Sequence, residues 1–287
     1  MSQTFLIAEC GSCHDNDIGK AFDLIRTAKE CGADAAKFQF WSSAKRMATR
    51  RHAPEYEAAY ARYAVPEAWL KELRDFSASM GIDFMCSSYL PEDVDLVAGY
   101  VRTMKVASFE ANDPVHLAAH VRHVRAGRRV IVSCGLAADV DVIREYLVRR
   151  ACDENTAGQV DLLWCVSAYP APLDQLHLRR LRGDHLWTDV RYQGFSDHSP
   201  ADETLTGAFS VMAGARIVER HLRLDDTDPA NPDYPHAMAP SGFAAYVAAI
   251  RKAEVVLGWQ DHSPQAAGDV LPCEQPLRGY RVREEAP

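Results

Sequence analysis

No stretch of the chain approaches the roughly 20 consecutive apolar residues that a membrane-spanning helix needs, so a membrane partner is not expected. A surplus of positive charge is missing too. Lysine and arginine number 32 against 40 aspartates and glutamates, a net charge of -8, which gives no general attraction to nucleic acid. A local basic pocket can still hold a small anion. Low-complexity tracts are absent, as are internal repeats beyond the alternation described below. Met1 to Thr4 run straight into Phe5-Leu-Ile-Ala8, too short and too uncharged to read as a secretory leader, and the expected location is cytoplasmic. Cys10-Gly-Ser-Cys13-His14 has the spacing of a c-type haem attachment site, but that chemistry needs export, and no second C-x-x-C completes a zinc site. Of the eight cysteines, Cys86, Cys134 and Cys165 lie inside apolar runs, where a thiol packs as a small hydrophobe, so disulfides are not expected.

What is present fits a globular protein with a sizeable core: 47% hydrophobic and 25% charged residues over 287 positions. Strand-length apolar runs at about 4–9, 34–40, 82–88, 103–107, 129–134, 160–165, 189–195 and 216–220 alternate with amphipathic stretches at about 18–31, 66–80, 91–100, 113–125, 138–151, 173–182, 200–213 and 240–257. Eight strands alternating with eight helices predict a closed (β/α)8 barrel as a single domain over 1–258, with an irregular tail over 259–287. Gly32, Gly81 and Gly127 stand at helix ends, while Pro66, Pro91, Pro114 and Pro200 stand where helices should begin. The longest interruption, about 41–65, reads as a functional or mobile loop.

In such barrels chemistry sits at the C-terminal ends of the strands. Here those ends carry Glu9, Lys37 with Gln39, Ser87-Ser88, Lys105 with Ser108, Ser133, Ser167 with Tyr169, Ser196-Asp197-His198, and Glu219-Arg220-His221. Lys37 and Lys105 lie in otherwise apolar runs, where an inward ammonium is costly unless paired with an anion. Each is either half of a structural ion pair or, with Ser108 and Ser133, part of a pocket for phosphate and carboxylate. His198 and His221 end adjacent strands at matching height, so their imidazoles can share one divalent ion. Glu9 either pairs with Lys37 or His14 or serves as a proton relay.

These segments resemble the sialic acid synthase family, the N-acetylneuraminate synthases and the enzymes making legionaminic and pseudaminic acids. The similarity runs from Phe5 to about Arg281. It rests on Phe5-Leu-Ile-Ala-Glu-Cys-Gly-Ser-Cys-His14, Gly32-Ala-Asp-Ala-Ala-Lys-Phe-Gln39, Met104-Lys-Val-Ala-Ser-Phe-Glu110, Gly194-Phe-Ser-Asp-His-Ser199, Gly214-Ala-Arg-Ile-Val-Glu-Arg-His221 and Asn231-Pro-Asp233, all in order. The resemblance implies that Lys37, Lys105, Ser108, Ser133 and Ser196 hold phosphoenolpyruvate. It implies that His198 and His221 hold a divalent metal, Mn2+ first, with Mg2+, Co2+ or Zn2+ as alternatives. Glu9 would then take part in proton transfer, and Tyr169 and Asp233 would face the sugar, with Gln39 and Ser167 also among the substrate-binding residues. The implied reaction condenses phosphoenolpyruvate with an aldose to a 2-keto-3-deoxy acid, in a chain whose association into a homo-oligomer is left open.

The sequence also departs from the family pattern. Cys13 and Ser167 stand where the family has asparagines, and Cys86-Ser87-Ser88-Tyr89 replaces a Ser-Thr-Pro-Phe run. The chain stops where relatives usually continue into an antifreeze-protein-like domain that contacts the sugar's N-acyl group, so an acceptor other than N-acetylmannosamine is expected. Two other readings remain: a Schiff-base pyruvate aldolase using Lys37 or Lys105, and a non-catalytic sugar-binding barrel.

Overall fold

The computed structural model describes residues 3–136, 138–150, 160–182 and 192–258. Eight parallel strands, β1 Phe5–Gly11, β2 Ala35–Phe40, β3 Asp83–Ser88, β4 Thr103–Val106, β5 Arg129–Cys134, β6 Val160–Cys165, β7 Gly194–Asp197 and β8 Ile217–His221, close into a barrel in chain order. Closure leaves no sheet edge to pair with another chain. Helices surround it: α1 Ile18–Glu30, α2 Ala44–Arg50, α3 Glu57–Arg62, α4 Glu67–Met80, α5 Val94–Ala98, α6 Pro114–Arg125, α7 Val140–Arg144, α8 Thr206–Met212 and α9 Pro240–Val256. The predicted tail, 259–287, and the first part of the predicted seventh strand lie outside the described residues.

Local chemistry explains most of the boundaries. Asp17 caps α1 by accepting from Gly19 N and Lys20 N, Asp113 caps α6 through Val115 N and His116 N, and Pro114 fills the first turn, where a missing N–H costs little. Gly81 ends α4 in the left-handed region. Three expectations are corrected. The amphipathic run at 173–182 forms two 3-10 turns, Leu173–Gln175 and Leu178–Arg182, because His177 adopts φ 47 and breaks the helical ladder between them. Pro200 does not start a helix. Its carbonyl accepts from Arg220 Nη2 at 2.7 Å, and α8 begins only at Thr206. The interruption at 41–65 is not a bare loop but α2, a 3-10 turn at Pro54–Tyr56, and α3.

Strand periodicity places the site. Side chains alternate between the barrel interior and the helix layer. Ile7, Ala35, Met85, Ile131, Leu163 and Ile217 form a separate buried cluster inside the barrel, while the larger core lies between strands and helices. Gly194 is required in this layer, since a Cβ there would lie 2.1 Å from the Ile217 carbonyl oxygen. Two residues further along each of these strands, the same inward row becomes Glu9, Lys37, Ser87, Ser133, Cys165 and Glu219. The backbone register pairs Glu9 with Lys37 and His221, Ser87 with Lys105, and Ser196 with Glu219. An apolar plug thus floors a polar layer.

Candidate active site

Above the plug opens a cavity of about 530 Å³, within the range of small-molecule sites. Glu9, Lys37, Gln39, Lys105, Ser108, Ser133, Tyr169, His198, His221 and Asp233 all line it. Ser167 and Ser196 stand just behind the wall. Ser167 Oγ donates to Ser108 Oγ at 2.8 Å, and Ser196 Oγ donates to Glu219 Oε1 at 3.0 Å.

The polar layer is an alternating charge array. Lys37 Nζ contacts Glu9 Oε2, donates to Ser87 Oγ at 3.2 Å and lies 3.7 Å from Glu219 Oε2. Lys105 Nζ donates to Ser133 Oγ at 2.8 Å and the Val106 carbonyl at 3.1 Å, with Glu219 Oε1 at 3.7 Å. At 3.7 Å neither lysine makes a close hydrogen bond to Glu219, so each ammonium keeps donor capacity for an incoming anion. Burial pulls Lys37 down to about 8, against the attraction of Glu219. Burial alone would raise the Glu219 carboxyl, but Lys105 and Lys37 outweigh it and hold the group below its ordinary value. Both readings of the lysines therefore meet in one place: each takes part in a buried ion pair, and both face the same pocket. Glu9 does pair with Lys37, while its Oε1 accepts from Gly11 N at 2.7 Å and Gln39 Nε2 at 3.3 Å.

The imidazoles occupy the other side of the pocket. Ring centroids of His198 and His221 are 5.8 Å apart. The His198 Nδ1 proton donates to the Val166 carbonyl at 2.8 Å, which leaves the lone pair on Nε2, 3.5 Å from Ser196 Oγ. Burial lowers His198 to about 4 and puts His221 well below the usual histidine range, where His236 and His198 push it further. Both rings are neutral at pH 7, the form that ligates a metal.

A network in the strand ends fixes these two rings. Asp197, fully buried and immediately before His198 in sequence, accepts from Tyr246 Oη at 2.7 Å, Ser199 N at 2.9 Å and Arg220 Nη1 at 3.1 Å, and also from Thr206. Arg220 in turn donates to Ser199 Oγ at 2.7 Å. Asp197 thereby ties β7 to β8 through an ion pair and to α8 and α9 through hydrogen bonds, at the strand residues next to the two histidines.

The sequence reading missed three contributors. Glu219 was noted only as a strand-end residue, although the two-residue period from Ile217 already turned it inward. His236 sits in the segment between β8 and α9, its ring 4.5 Å from His221 and 5.0 Å from Tyr169. The only sequence signal for it was its spacing of three from Asp233. Arg51 follows α2 at the pocket mouth, over the Phe109 ring at 4.1 Å and paired with Glu110 Oε1 at 2.7 Å. Nothing in the local sequence announced that a residue so far along the insert returns to the site.

The donor set fits a divalent ion. Among the described residues, His221, Asp233 and His236 each offer a ligand atom, all within 4.8 Å of one another. Buried nitrogens without a hydrogen-bond partner include His221 Nδ1 and both ring nitrogens of His236. Neutral imidazoles beside a carboxylate suit first-row divalent metals.

A parallel barrel whose strand ends bring two buried ammonium groups, an intervening carboxylate and three imidazoles into one cavity is an enzyme architecture. Its particular kind comes from its likenesses. Residues 24–262 match the model of the NeuB family. The chain is 30% identical to N-acetylneuraminate-9-phosphate synthase of Mus musculus over 94% of its own length and 74% of that protein's. It is 29% identical to N,N'-diacetyllegionaminic acid synthase of Legionella pneumophila, over 91% of the chain and 75% of the relative. A crystal structure of N-acetylneuraminic acid synthetase from Leptospira borgpetersenii, in complex with citrate, superposes with a TM-score of 0.80 at 26% identity, covering 98% and 92% of the two chains. The chain belongs to the NeuB family and is an enzyme of the sialic acid synthase type.

Proposed function

We propose that the chain joins phosphoenolpyruvate to the aldehyde carbon of an aldose, an N-acylhexosamine-like or other sugar, releasing phosphate and leaving a 2-keto-3-deoxy sugar acid. The observation that carries this reading is the shared cavity, where Lys37 and Lys105 face the same space as the neutral imidazoles of His198 and His221.

Phosphoenolpyruvate brings a phosphate and a carboxylate. Lys37 and Lys105 supply the charge, Ser108 and Ser133 supply hydroxyl donors, and Ser167 and Ser196 hold Ser108 and Glu219 in place from behind. The new bond forms between C3 of phosphoenolpyruvate and the aldehyde carbon, whose oxygen takes a proton to become a hydroxyl. Water then adds at C2 and gives up its protons, and the bond from C2 to the phosphate oxygen breaks, leaving the ketone. Glu9, fixed by the Gly11 N–H and Lys37, would move a proton between that water and the pocket. Gln39, Tyr169 and Asp233 line the part of the cavity left for the sugar. His198 and His221 would hold the divalent ion, Mn2+ first and Mg2+, Co2+ or Zn2+ as alternatives, which when bound supplies positive charge to the aldehyde oxygen.

The test is a panel of aldoses, N-acetylmannosamine included, incubated with phosphoenolpyruvate and Mn2+ and scored for inorganic phosphate. Release is expected only with both substrates present, and is expected to vanish with chelator and in His221→Ala. Phosphate release from no aldose, or release indifferent to chelator, overturns the reading. One observation favours a second chemistry: Lys37, lowered to about 8, holds more of the neutral amine that imine formation needs. Borohydride trapping of pyruvate on Lys37 would support that Schiff-base alternative.

A further inference from the structure

The metal centre as read from the sequence has two protein ligands, both on strands. The segment after β8 adds more. The Asp233 carboxylate is pinned through one oxygen: Oδ2 accepts from Ser12 N at 2.7 Å and from Ser12 Oγ at 2.9 Å. Asn231 fastens the same segment to the end of β1, donating to the Ser12 carbonyl at 2.8 Å and to Asp15 Oδ1 at 2.8 Å. Gly11 makes this approach feasible, since a Cβ there would lie 2.0 Å from Asp233 Oδ2. The other oxygen, Oδ1, faces His236 Nε2 at 3.5 Å, and Oδ2 lies 4.0 Å from His221 Nδ1.

His236 is 3% exposed and neither of its nitrogens has a hydrogen-bond partner. A buried imidazole with both nitrogens unpaired is a cost that folds rarely carry without a purpose. Its ring stands as a T against His221, 4.5 Å between centroids, closer than the 5.8 Å from His221 to His198. Donors that bind one ion at roughly 2.0–2.2 Å lie no more than about 4.4 Å apart, so the 4.8 Å group closes by modest side-chain rotation.

We propose that His236 and one carboxylate oxygen of Asp233 join His221 as ligands, completing the shell of the ion that the reading above already assigns to His198 and His221. This deepens the metal-dependent reading above and rests on it for the role of the ion, though not for its binding. A shell of three imidazoles and one carboxylate favours Zn2+ and Co2+ over Mg2+, because imidazole is the better match for the later first-row ions.

The test measures binding without substrate. Mn2+ is titrated into the purified chain, and the free ion is read from its electron paramagnetic resonance signal; Co2+ is then added separately, and its visible absorption is recorded. His236→Ala is expected to weaken Mn2+ binding at least tenfold and to change the Co2+ spectrum, and Asp233→Asn to weaken binding as well. His236→Gln, which keeps the volume, guards against a folding defect, as does an unchanged far-ultraviolet circular dichroism spectrum in each variant. Zn2+ is expected to displace Mn2+, and Mg2+ is not. Unchanged Mn2+ affinity and an unchanged Co2+ spectrum in His236→Ala overturn the proposal, even if phosphate release remains chelator-sensitive. Conversely, a tight ion that depends on His236 in a chain that releases no phosphate from any aldose supports this inference and sinks the condensation reading instead.

Discussion

The two rims of the pocket are built differently. The β7–β8 rim hangs on a buried ion pair, Asp197 with Arg220, and its side chains are almost wholly shielded from water. The other rim is the insert between β2 and α4, where Arg51 rests on Phe109 and Glu110 and where Tyr56 is 56% exposed. The first rim holds the imidazoles in place through interior contacts. The second is made of short helices whose side chains, Met47, Arg51, Tyr56 and Tyr60 among them, line the cavity. The difference suggests a division of labour, with chemistry on the strand ends and choice of acceptor on the insert, as expected when reacting groups need fixed positions and recognition needs adaptable ones.

Breaking the Asp197–Arg220 pair should have the largest effect. Arg220→Ala leaves a buried carboxylate without its cation and is expected to cost about 3–5 kcal/mol, read as a lowered denaturation midpoint in urea. A change below about 1 kcal/mol would mean that the two rims are held equally loosely. Next in size is Lys105→Met, which removes a charge from the polar layer while keeping most of the volume. Phosphate release should fall by about 10²–10³-fold in kcat with a native circular dichroism spectrum.

Acid should act outside the two rims, on neutral imidazoles buried elsewhere in the molecule. Burial lowers His120 on α6, and His14 beside Trp69, from an ordinary 6.5 to about 4. Between those values the unfolded chain binds more protons than the folded one. Stability present above about 6.5 is therefore expected to be lost as pH falls toward 4, which denaturant titrations at successive pH values would show. Glu110 works in the other direction. Burial raises it to about 7, against the pull of Arg51, so its contribution is full below the ordinary 4.5 and fades as pH rises through about 7. The smallest effect sharpens the comparison most. Arg51→Ala should raise KM for the aldose roughly tenfold, equivalent to about 1.4 kcal/mol, while kcat stays within about twofold. A loss in kcat as large as that of Lys105→Met would erase the proposed division.

The strands were legible because parallel barrel strands are apolar runs of fixed length, and those at 129–134 and 160–165 fall where the sequence placed them. The inward row was legible too: once Ile7, Ala35 and Ile217 are read as pointing into the barrel, Glu9, Lys37 and Glu219 must follow them two residues on. The short helices at 44–62 were hidden, because an insert rich in arginine and tyrosine carries no clear period. The 3-10 turns at 173–182 were misread because a helical pattern of leucines does not reveal that His177 takes a left-handed backbone.

By itself, then, the sequence determined the barrel, the level at which its interior turns from apolar to charged, and the pair of lysines and pair of histidines at that level. These are consequences of a two-residue period acting along each strand. Only the tertiary structure decided that Glu219 stands between the lysines, that Arg51 returns to the mouth, and that Ser12 and Asn231 draw Asp233 and His236 against His221. Glu219 and the lysines lie on different strands, Arg51 meets Glu110 across 59 positions, and Ser12 reaches Asn231 and Asp233 across more than 200; what unites them is the closing of the barrel rather than any spacing along the sequence.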